Sequence, residues 1–261
     1  MKLHRIYGVW LRYMYLFKHS MDRQSDAFYW PTVDLVMWGL TSSYVGAHST
    51  DKVSGVLVVI SGLVLWVVLW RGQYEITVNI LEDMWNKNLI NMFAAPLKLT
   101  EWMTSFISLG FVKAGVSLLY TALMAFVLYK VRIFARGFEL IPFLLLLMMT
   151  GWWVGFFVGG LIVRYGGKVQ NFAWSMVYLI APFSAIYYPL STLPHWAQSV
   201  AAFIPTSYIF EGARDLAING RLDGYNLLMA FSLNLLYLAF SLWFFNQSFK
   251  KVLQRGLVKL Y

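Results

Sequence analysis

The sequence contains no cysteine and few charged residues. The absence of cysteine in all 261 residues excludes a disulfide framework and any metal site built on thiolates. Charged residues make up 13% of the chain and hydrophobic residues 59%, whereas a soluble domain carries about a quarter charged residues. The chain is therefore predicted to be a polytopic membrane protein. Its length allows one integral domain, residues 1–261, but no soluble catalytic domain beside it.

Sequence motifs for nucleotide hydrolysis and for hydrolytic chemistry are also missing. The only Gly-Lys pair, Gly167-Lys168, is followed by Val169 where a phosphate-binding loop needs Ser or Thr, and Ile162 stands where its first glycine should be. No His-Glu-x-x-His or Gly-x-Ser-x-Gly motif occurs. We therefore expect no catalytic residue, no metal and no cofactor on this chain. Energy for any work would come from a partner or from an ion gradient.

The basic residues flank apolar segments, so the formal net charge of +9 is expected to serve contact with membrane lipids and not with nucleic acid. With the N-terminus in the cytosol, the inner segments hold more than twice as many lysines and arginines as the outer loops. The positive-inside rule thus predicts a multi-pass protein of the cell membrane with both termini cytosolic. Lys130, Arg132 and Arg136 lie on a predicted outer loop and do not follow the rule, but the total count still decides the orientation.

Residues 1–26 predict an amphipathic helix on the cytosolic side. Apolar side chains recur at helical spacing from Leu3 to Phe17, whereas Arg5, Arg12 and His19 fall near the opposite side. A helix of this kind lies in the plane of the lipid headgroups. A helix packed flat against protein is the alternative.

Six apolar segments predict six transmembrane helices in an all-α fold. Trp30-Pro31 is expected to open the first of them, and Arg71 to mark the end of the second. The predicted spans are Phe28–Ala47, Ser54–Trp70, Met103–Tyr129, Phe138–Val163, Asn171–Tyr188 and Tyr225–Gln247.

Two features inside these spans indicate function or helix packing. Asp34 and Lys113 are ionisable groups within apolar helices, which makes them functional candidates, although Asp34 could lie near enough to the interface to stay hydrated. Gly151, Gly155 and Gly159 lie four residues apart, a spacing that lets helices approach closely. Glycines that face lipid would show the same spacing.

Residues 71–102 form a long polar segment between predicted spans, on the cytosolic side. Apolar residues recur in it at helical spacing until Ala95-Pro96 ends the helix. A solvated amphipathic helix would explain the pattern. A docking element explains it better, because Trp85, Met92 and Phe93 are costly to expose without a partner.

Residues 189–220 are largely apolar but broken by Pro189, Pro194 and Pro205. The run Trp196–Ile204 would give roughly 14 Å of helix, which is too short for a hydrocarbon core of about 30 Å. A re-entrant helical hairpin on the outer side is therefore predicted, since such backbone is tolerated at membrane depth where protein or water covers it. An ordinary proline-rich extracellular loop is the alternative.

This hairpin segment resembles the last third of membrane subunits of type-2 ABC exporters. The resemblance rests on Tyr188-Pro189-Leu190, Leu193-Pro194-x-Trp196, Pro205-Thr206-x-Tyr208, Glu211 and Arg214. In outline it extends to the amphipathic start, the six spans and the long cytosolic segment. That superfamily moves lipid-linked glycans, lipids or drugs outward, so a hairpin at the exit of a transport path is implied.

The resemblance further implies a transport subunit that pairs with a second copy of itself. Two copies of a separate ABC ATPase subunit, which would hold ATP and Mg, are implied to dock on the cytosolic side. The residues implied to couple to the ATPase are Glu82, Asp83, Trp85, Leu89, Met92 and Phe93. Polysaccharide, glycolipid and drug all remain open as cargo, because the aromatic residues could stack on sugars or form interfacial belts.

A gradient-driven secondary transporter or channel is the alternative function. It would carry several ionisable groups in the membrane and internal repeats, whereas only Asp34 and Lys113 are clearly embedded and no repeat is evident. An intramembrane enzyme would need facing clusters of His, Asp or Glu. The one tight charged group, Glu211, Arg214 and Asp215, is expected outside the membrane, where it would brace the hairpin.

Overall fold

The protein is all-helical over the residues that the structure describes. The computed structural model describes residues 1–47 and 52–255, and these ranges contain no β-strand, which confirms the all-α class. Lys259, one of the basic residues counted on the cytosolic side, lies outside the described residues. The α-helices are α1 (Leu3–His19), α2 (Met21–Ala47), α3 (Lys52–Trp85), α4 (Leu89–Ala94), α5 (Leu99–Tyr129), α6 (Ile141–Tyr165), α7 (Phe172–Ile180), α8 (His195–Ala201), α9 (Pro205–Asn219) and α10 (Gly224–Arg255).

Four helical segments of the described chain are long and apolar enough to cross a bilayer. They cover the predicted second, third, fourth and sixth spans and comprise Val56–Trp85, Leu99–Tyr129, Ile133–Val169 and Gly224–Gln254. Helix α2 is long enough to cross a bilayer, but it is not among these four apolar segments, because it mixes aromatic, hydroxyl and acidic side chains. The apolar helix Phe172–Phe183 would reach only roughly 18 Å. The count of six spans therefore stays a prediction.

Three predicted helix boundaries in the first third of the chain are wrong. The amphipathic helix predicted over residues 1–26 ends at His19. Helix α2 begins at Met21, so Pro31 lies inside the helix and not in its first turn. Helix α3 does not end at Arg71 but continues to Trp85. About half of the predicted polar loop is thus helix inside the bundle, because its polar side chains find partners within the protein.

The predicted fifth span is also shorter than expected. The helix that starts at Phe172 ends in a 3-10 turn at Phe183, and Ala185 then adopts a left-handed conformation with φ of 55°. A non-glycine residue in that conformation cannot continue a right-handed helix. The chain therefore turns before Tyr188, the residue at which the span was expected to end.

Helix α3 packs between α5 and α6, and α6 in turn packs against α10. Gly151, Gly155 and Gly159 line the face of α6 that meets α3. A Cβ added at Gly151 would lie 2.6 Å from the carbonyl oxygen of Leu69, and one at Gly155 would lie 2.9 Å from Ile76. The glycine spacing thus predicted close helix packing correctly, and the alternative that these residues face lipid is wrong.

A buried amide holds α10 against α6. The Asn234 side-chain oxygen accepts hydrogen bonds from Thr150 Oγ1 at 2.9 Å and from Trp153 Nε1 at 3.0 Å. Its Nδ2 donates to the carbonyl oxygen of Leu146 at 3.2 Å. Hydrogen bonds of this kind fix the register of two apolar helices, which packing alone specifies weakly.

We predict that Gly151→Ala lowers the free energy of unfolding by about 1–3 kcal/mol, because the added methyl group meets backbone that cannot move aside. Gly115→Ala on α5 is the matched control, since a Cβ there meets no atom within 4 Å. That control should leave stability unchanged or raise it slightly, because alanine favours helix. Thermal unfolding of both variants in one detergent checks this, and equal stabilities would contradict the close packing.

Candidate functional site

The second half of α3 carries a column of buried polar side chains. Each is at most 1% exposed, and they comprise Arg71, Gln73, Glu75, Thr77, Asn79 and Asp83. Polar and charged groups at such depth are stable only when the protein supplies their partners. Helix α1 supplies the partners of Asp83, α5 that of Glu75 and α7 a carbonyl oxygen for Gln73. Thr77 and Asn79, in contrast, bond within α3 itself.

One carboxylate, that of Glu75, is shared by two cations in the core. Lys113 on α5 donates from Nζ to Glu75 Oε2 at 2.8 Å, and Arg71 Nη1 lies 3.6 Å from Glu75 Oε1. The Arg71 guanidinium has no hydrogen-bond partner among the described residues and lies 5.1 Å from the centre of the Tyr74 ring. The ring face therefore gives Arg71 part of the stabilisation that hydrogen bonds would supply.

Asp83 links the end of α3 to α1 and to Asn88, and through Tyr13 to α5. Arg12 Nη2 and the Tyr13 hydroxyl both donate to its carboxylate, and Asn88 Nδ2 donates to it at 3.2 Å. Tyr13 also accepts a hydrogen bond from Trp102 Nε1 at 3.1 Å. Burial, reinforced by the Asp83 carboxylate, holds the pKa of the Tyr13 phenol well above its usual range. Tyr13 therefore remains a protonated donor at neutral pH.

Two further carboxylates attach the N-terminal helices to this end of the bundle. Arg23 Nε donates to Glu82 Oε1 at 3.0 Å, and the backbone N–H of Lys2 donates to Glu101 Oε1 at 2.8 Å. Arg5 lies 3.7 Å from the same Glu101 carboxylate. We call the residues Arg12, Tyr13, Arg23, Glu82, Asp83 and Glu101 the basal cluster. Arg5 and Arg12 of α1 thus contact protein, whereas His19 is exposed, and a location of α1 in the headgroup plane stays a prediction.

Most of the predicted coupling residues pack against the protein, and one of them is exposed. Glu82 and Asp83 belong to the basal cluster, and Leu89 is buried. Met92 lies within reach of Arg12, whose Nη1 is 3.0 Å from its sulfur. Phe93 packs on other aromatic rings, those of Trp102 and Phe249.

Trp85 is the exposed member of that set, with 51% of its surface accessible. Its ring stacks on Trp174, and its Nε1 donates to Gln170 at 3.3 Å. The single helix predicted for this segment is wrong, because Lys87 adopts a left-handed conformation with φ of 53° between α3 and α4. Residues 85–97 form an exposed tip carried by the basal cluster, and we call them the tip.

The hairpin segment lies at the other end of α3. Leu57 and Ser61, in the first half of α3, line a small cavity together with Ile186 and Arg214. The basal cluster sits near Trp85, where α3 ends. A single helix therefore connects both candidate sites.

Glu211 and Arg214 form an ion pair of 2.8 Å and hold the turn before the hairpin segment. Arg214 Nη2 donates to the carbonyl oxygens of Ala185 at 2.5 Å and of Tyr188 at 3.2 Å. Glu211 Oε1 accepts from the backbone N–H of Leu190 at 2.6 Å. Where the chain turns at Ala185, these backbone groups have no helical hydrogen-bond partners, and the side chains of the pair serve as partners in their place.

The remaining predicted hairpin residues shape its short helices. Pro194 precedes α8, Pro205 is the first residue of α9, and the exposed Pro189 precedes a 3-10 turn. Trp196 is 66% exposed, and the Tyr208 hydroxyl donates to a main-chain carbonyl oxygen at 3.1 Å. The depth of this segment in the membrane stays a prediction.

Asp34 faces out of the subunit from the middle of α2. Nearby, Trp38 stacks on Tyr187 with ring centres 4.6 Å apart, and Tyr178 is 59% exposed. No ion pair within the described residues includes Asp34. A carboxylate on an apolar helix face needs cover from protein or from a water-filled path.

Arg71 and Glu75 were not singled out from the sequence as buried functional residues. Arg71, Glu75 and Asn79 recur every four residues, which places them on one helix face. That spacing was the available signal. It was obscured because a charged segment after an apolar run ordinarily marks the end of a span.

These features define a multi-pass membrane protein whose long central helix connects a charged base to a proline-rich hairpin segment. The family model of the ABC-2 type transporter matches residues 9–218. The chain therefore belongs to the ABC-2 type transporter family, which confirms the resemblance found in the sequence. No curated protein matches the chain. Family membership makes the chain a transport permease component and not an enzyme, and it implies pairing with an ABC ATPase component.

We predict that Glu75→Gln destabilises the protein far more than Lys113→Met. Glu75→Gln leaves two buried cations without a counter-charge, at a cost of about 3–5 kcal/mol. Lys113→Met leaves the Arg71–Glu75 pair balanced, so its cost should be markedly smaller. Thermal unfolding in one detergent checks the order, and a more damaging Lys113→Met would contradict the shared-carboxylate arrangement.

We predict that Arg214→Met lowers stability by on the order of 3 kcal/mol, because it removes both carbonyl contacts and strands Glu211. Glu211→Gln should cost less although it removes the counter-charge of Arg214, since an amide oxygen can still accept from Leu190 and Arg214 keeps both carbonyl contacts. The charge-swapped double variant should regain little, because an arginine at position 211 cannot accept from Leu190. Unfolding temperatures of the three variants test this, and full recovery by the swap would contradict it.

Proposed function

We propose that this chain is the membrane subunit of an ATP-driven exporter. Two copies pair in the cell membrane with both termini in the cytosol, and two copies of an ABC ATPase subunit dock on them. ATP and Mg are bound by the ATPase, and this chain holds no cofactor. Closure of the ATPase subunits pushes on the tip and opens a path for an amphipathic cargo such as a lipid-linked polysaccharide, a glycolipid or a drug.

The observation that carries this proposal is the way the tip is mounted. Asp83 is 1% exposed and binds Arg12, Tyr13 and Asn88, so the end of α3 is fixed to α1 and to the start of α4. Breaking a buried charged network costs several kcal/mol. A force applied at the tip would therefore move α1, α3 and α5 together instead of bending the tip alone.

A groove between α1 and the tip supports docking of a partner. It encloses about 350 Å³ between α1 and the turn from α4 to α5, and its walls include Val9, Met92, Pro96 and Leu97. Arg5 and Arg12 also line it, but both already contact protein oxygens. The surface left for a partner is thus mainly apolar, which suits the apolar face of a helix from the ATPase.

The outward-facing Asp34 supports pairing of two copies. In a single subunit this carboxylate and the exposed rings of Trp30, Trp38 and Tyr178 would meet lipid. A second copy across a two-fold axis along the membrane normal would cover this face and enclose a polar, aromatic path. Rings that flank a carboxylate can contact both the apolar and the hydroxyl parts of an amphipathic cargo.

The gradient-driven alternative gains two embedded ionisable groups, Arg71 and Glu75, which were not counted from the sequence. Together with Lys113 they pair with one another in packed surroundings. An ion-coupled path would need such groups to face a cavity that water can enter. Their arrangement favours a structural role, so the exporter remains our proposal.

We predict that Trp85→Ala weakens binding of the ABC ATPase that co-purifies with the wild-type chain by roughly thirty-fold, since losing an aromatic anchor costs about 2 kcal/mol. Trp196→Ala is the matched control, because Trp196 is similarly exposed but lies in the hairpin segment. Titration of the ATPase onto each immobilised variant checks this. Equal affinities for both variants would remove Trp85 from the docking surface, and absence of any ATPase from the wild type would contradict the proposed function.

A further inference from the structure

The connection between α5 and α6 carries cations that form no ion pair with the described residues. Lys130 and Arg132 are exposed, and no ion pair among the described residues includes either of them. Glu139 is the sole carboxylate between positions 130 and 140 in the sequence. No carboxylate of the described residues therefore neutralises Lys130 or Arg132, and both can attract an anion.

An apolar groove lies directly beside these cations. It encloses about 420 Å³ between the last turns of α5 and the connection, and Arg132 forms part of its wall. Its apolar lining comprises Leu119, Ala122, Leu123, Phe126, Val131, Ile133, Phe134 and Ala135.

The groove continues along α5 as an exposed apolar stripe. Val112, Val116, Leu119, Leu123 and Phe126 recur at intervals of four and three residues and are between 41% and 63% exposed. Helical rise makes this stripe roughly 21 Å long. One leaflet contributes about 15 Å, half of a hydrocarbon core of about 30 Å. The stripe can thus accompany an acyl chain through a whole leaflet.

We propose that this groove binds an anionic phospholipid, with one acyl chain along the α5 stripe and the phosphate between Lys130 and Arg132. The two cations match the phosphate of such a lipid, and the apolar groove matches its acyl chain. The site depends neither on the cargo nor on the orientation of the chain, because anionic headgroups attract cations in either leaflet.

The backbone holds Lys130 in place for this role. Lys130 ends α5 in a left-handed conformation with φ of 60°, and its N–H donates to the carbonyl oxygen of Phe126 at 2.9 Å. Its Nζ lies 5.6 Å from the centre of the Phe126 ring, which also lines the groove. The helix cap thus fixes the backbone of Lys130, and its ammonium lies beside a ring that lines the groove.

A second copy of the chain fits this surface poorly. Subunits that pair through one face share a two-fold axis along the membrane normal, so a residue at the axis meets its own counterpart at the same depth. With this groove at the axis, Lys130 and Arg132 of one copy would approach those of the other, and like charges brought together oppose pairing. A lipid phosphate meets the same cations with opposite charge.

The test is native mass spectrometry of the full chain titrated with phosphatidylglycerol or with phosphatidylcholine of identical acyl chains. We expect the wild type to prefer phosphatidylglycerol by on the order of twenty-five-fold, about fivefold for each cation. Lys130→Asn with Arg132→Gln should bind both lipids equally. Asparagine is chosen because it tolerates the left-handed conformation of position 130.

The matched control is Lys168→Gln with Lys250→Gln, which removes two exposed cations elsewhere and should keep the preference. Leu123→Trp retains the cations but fills the groove, so it should bind less of both lipids. Unfolding temperatures without added lipid show whether each variant folds, and phosphatidylglycerol should stabilise only the variants that keep the site. Equal binding of both lipids by the wild type overturns the proposal. A preference that survives loss of Lys130 and Arg132, or one lost equally in the control, overturns it as well.

Discussion

Burial of charge inside an apolar bundle is the constraint on which the rest of the structure depends. Such a group must be paired by the protein itself, because the surroundings offer neither water nor counter-ions. Glu75 meets this requirement with Lys113 and Arg71, and Asp83 meets it with Arg12 and Tyr13. These contacts draw α1 and α5 onto α3, so the charged half of α3 can remain helical in the interior.

The same helix links the two ends of the molecule. Close glycine contacts fix α6 against the middle of α3, while Arg214 holds the turn beside its first half. A displacement of the tip would therefore be transmitted along α3 towards the hairpin segment. Asp34 on α2 differs from these groups, because it is exposed and no described ion pair includes it, and our proposal that a second copy covers this face rests on that difference.

Local patterns predicted the parts of the fold that depend on neighbours in sequence. Glycines four apart indicated the face of α6 that meets α3, and Glu211 with Arg214, three apart, do form a pair. The prolines at positions 194 and 205 marked the starts of α8 and α9. The boundaries of α2, α3 and the fifth predicted span were missed, because each depends on contacts with distant segments.

The sequence by itself determined the membrane class, the all-α fold and the transporter family, since composition, periodicity and motif spacing are properties of the chain alone. Only the tertiary structure decided which charges are buried and what pairs with them. Glu75 and Lys113 are 38 residues apart, and Arg12 and Asp83 are 71 apart. No helical period relates residues at such separations. Their pairing follows from the way the helices pack, and that packing turns an expected polar loop into the core of the protein.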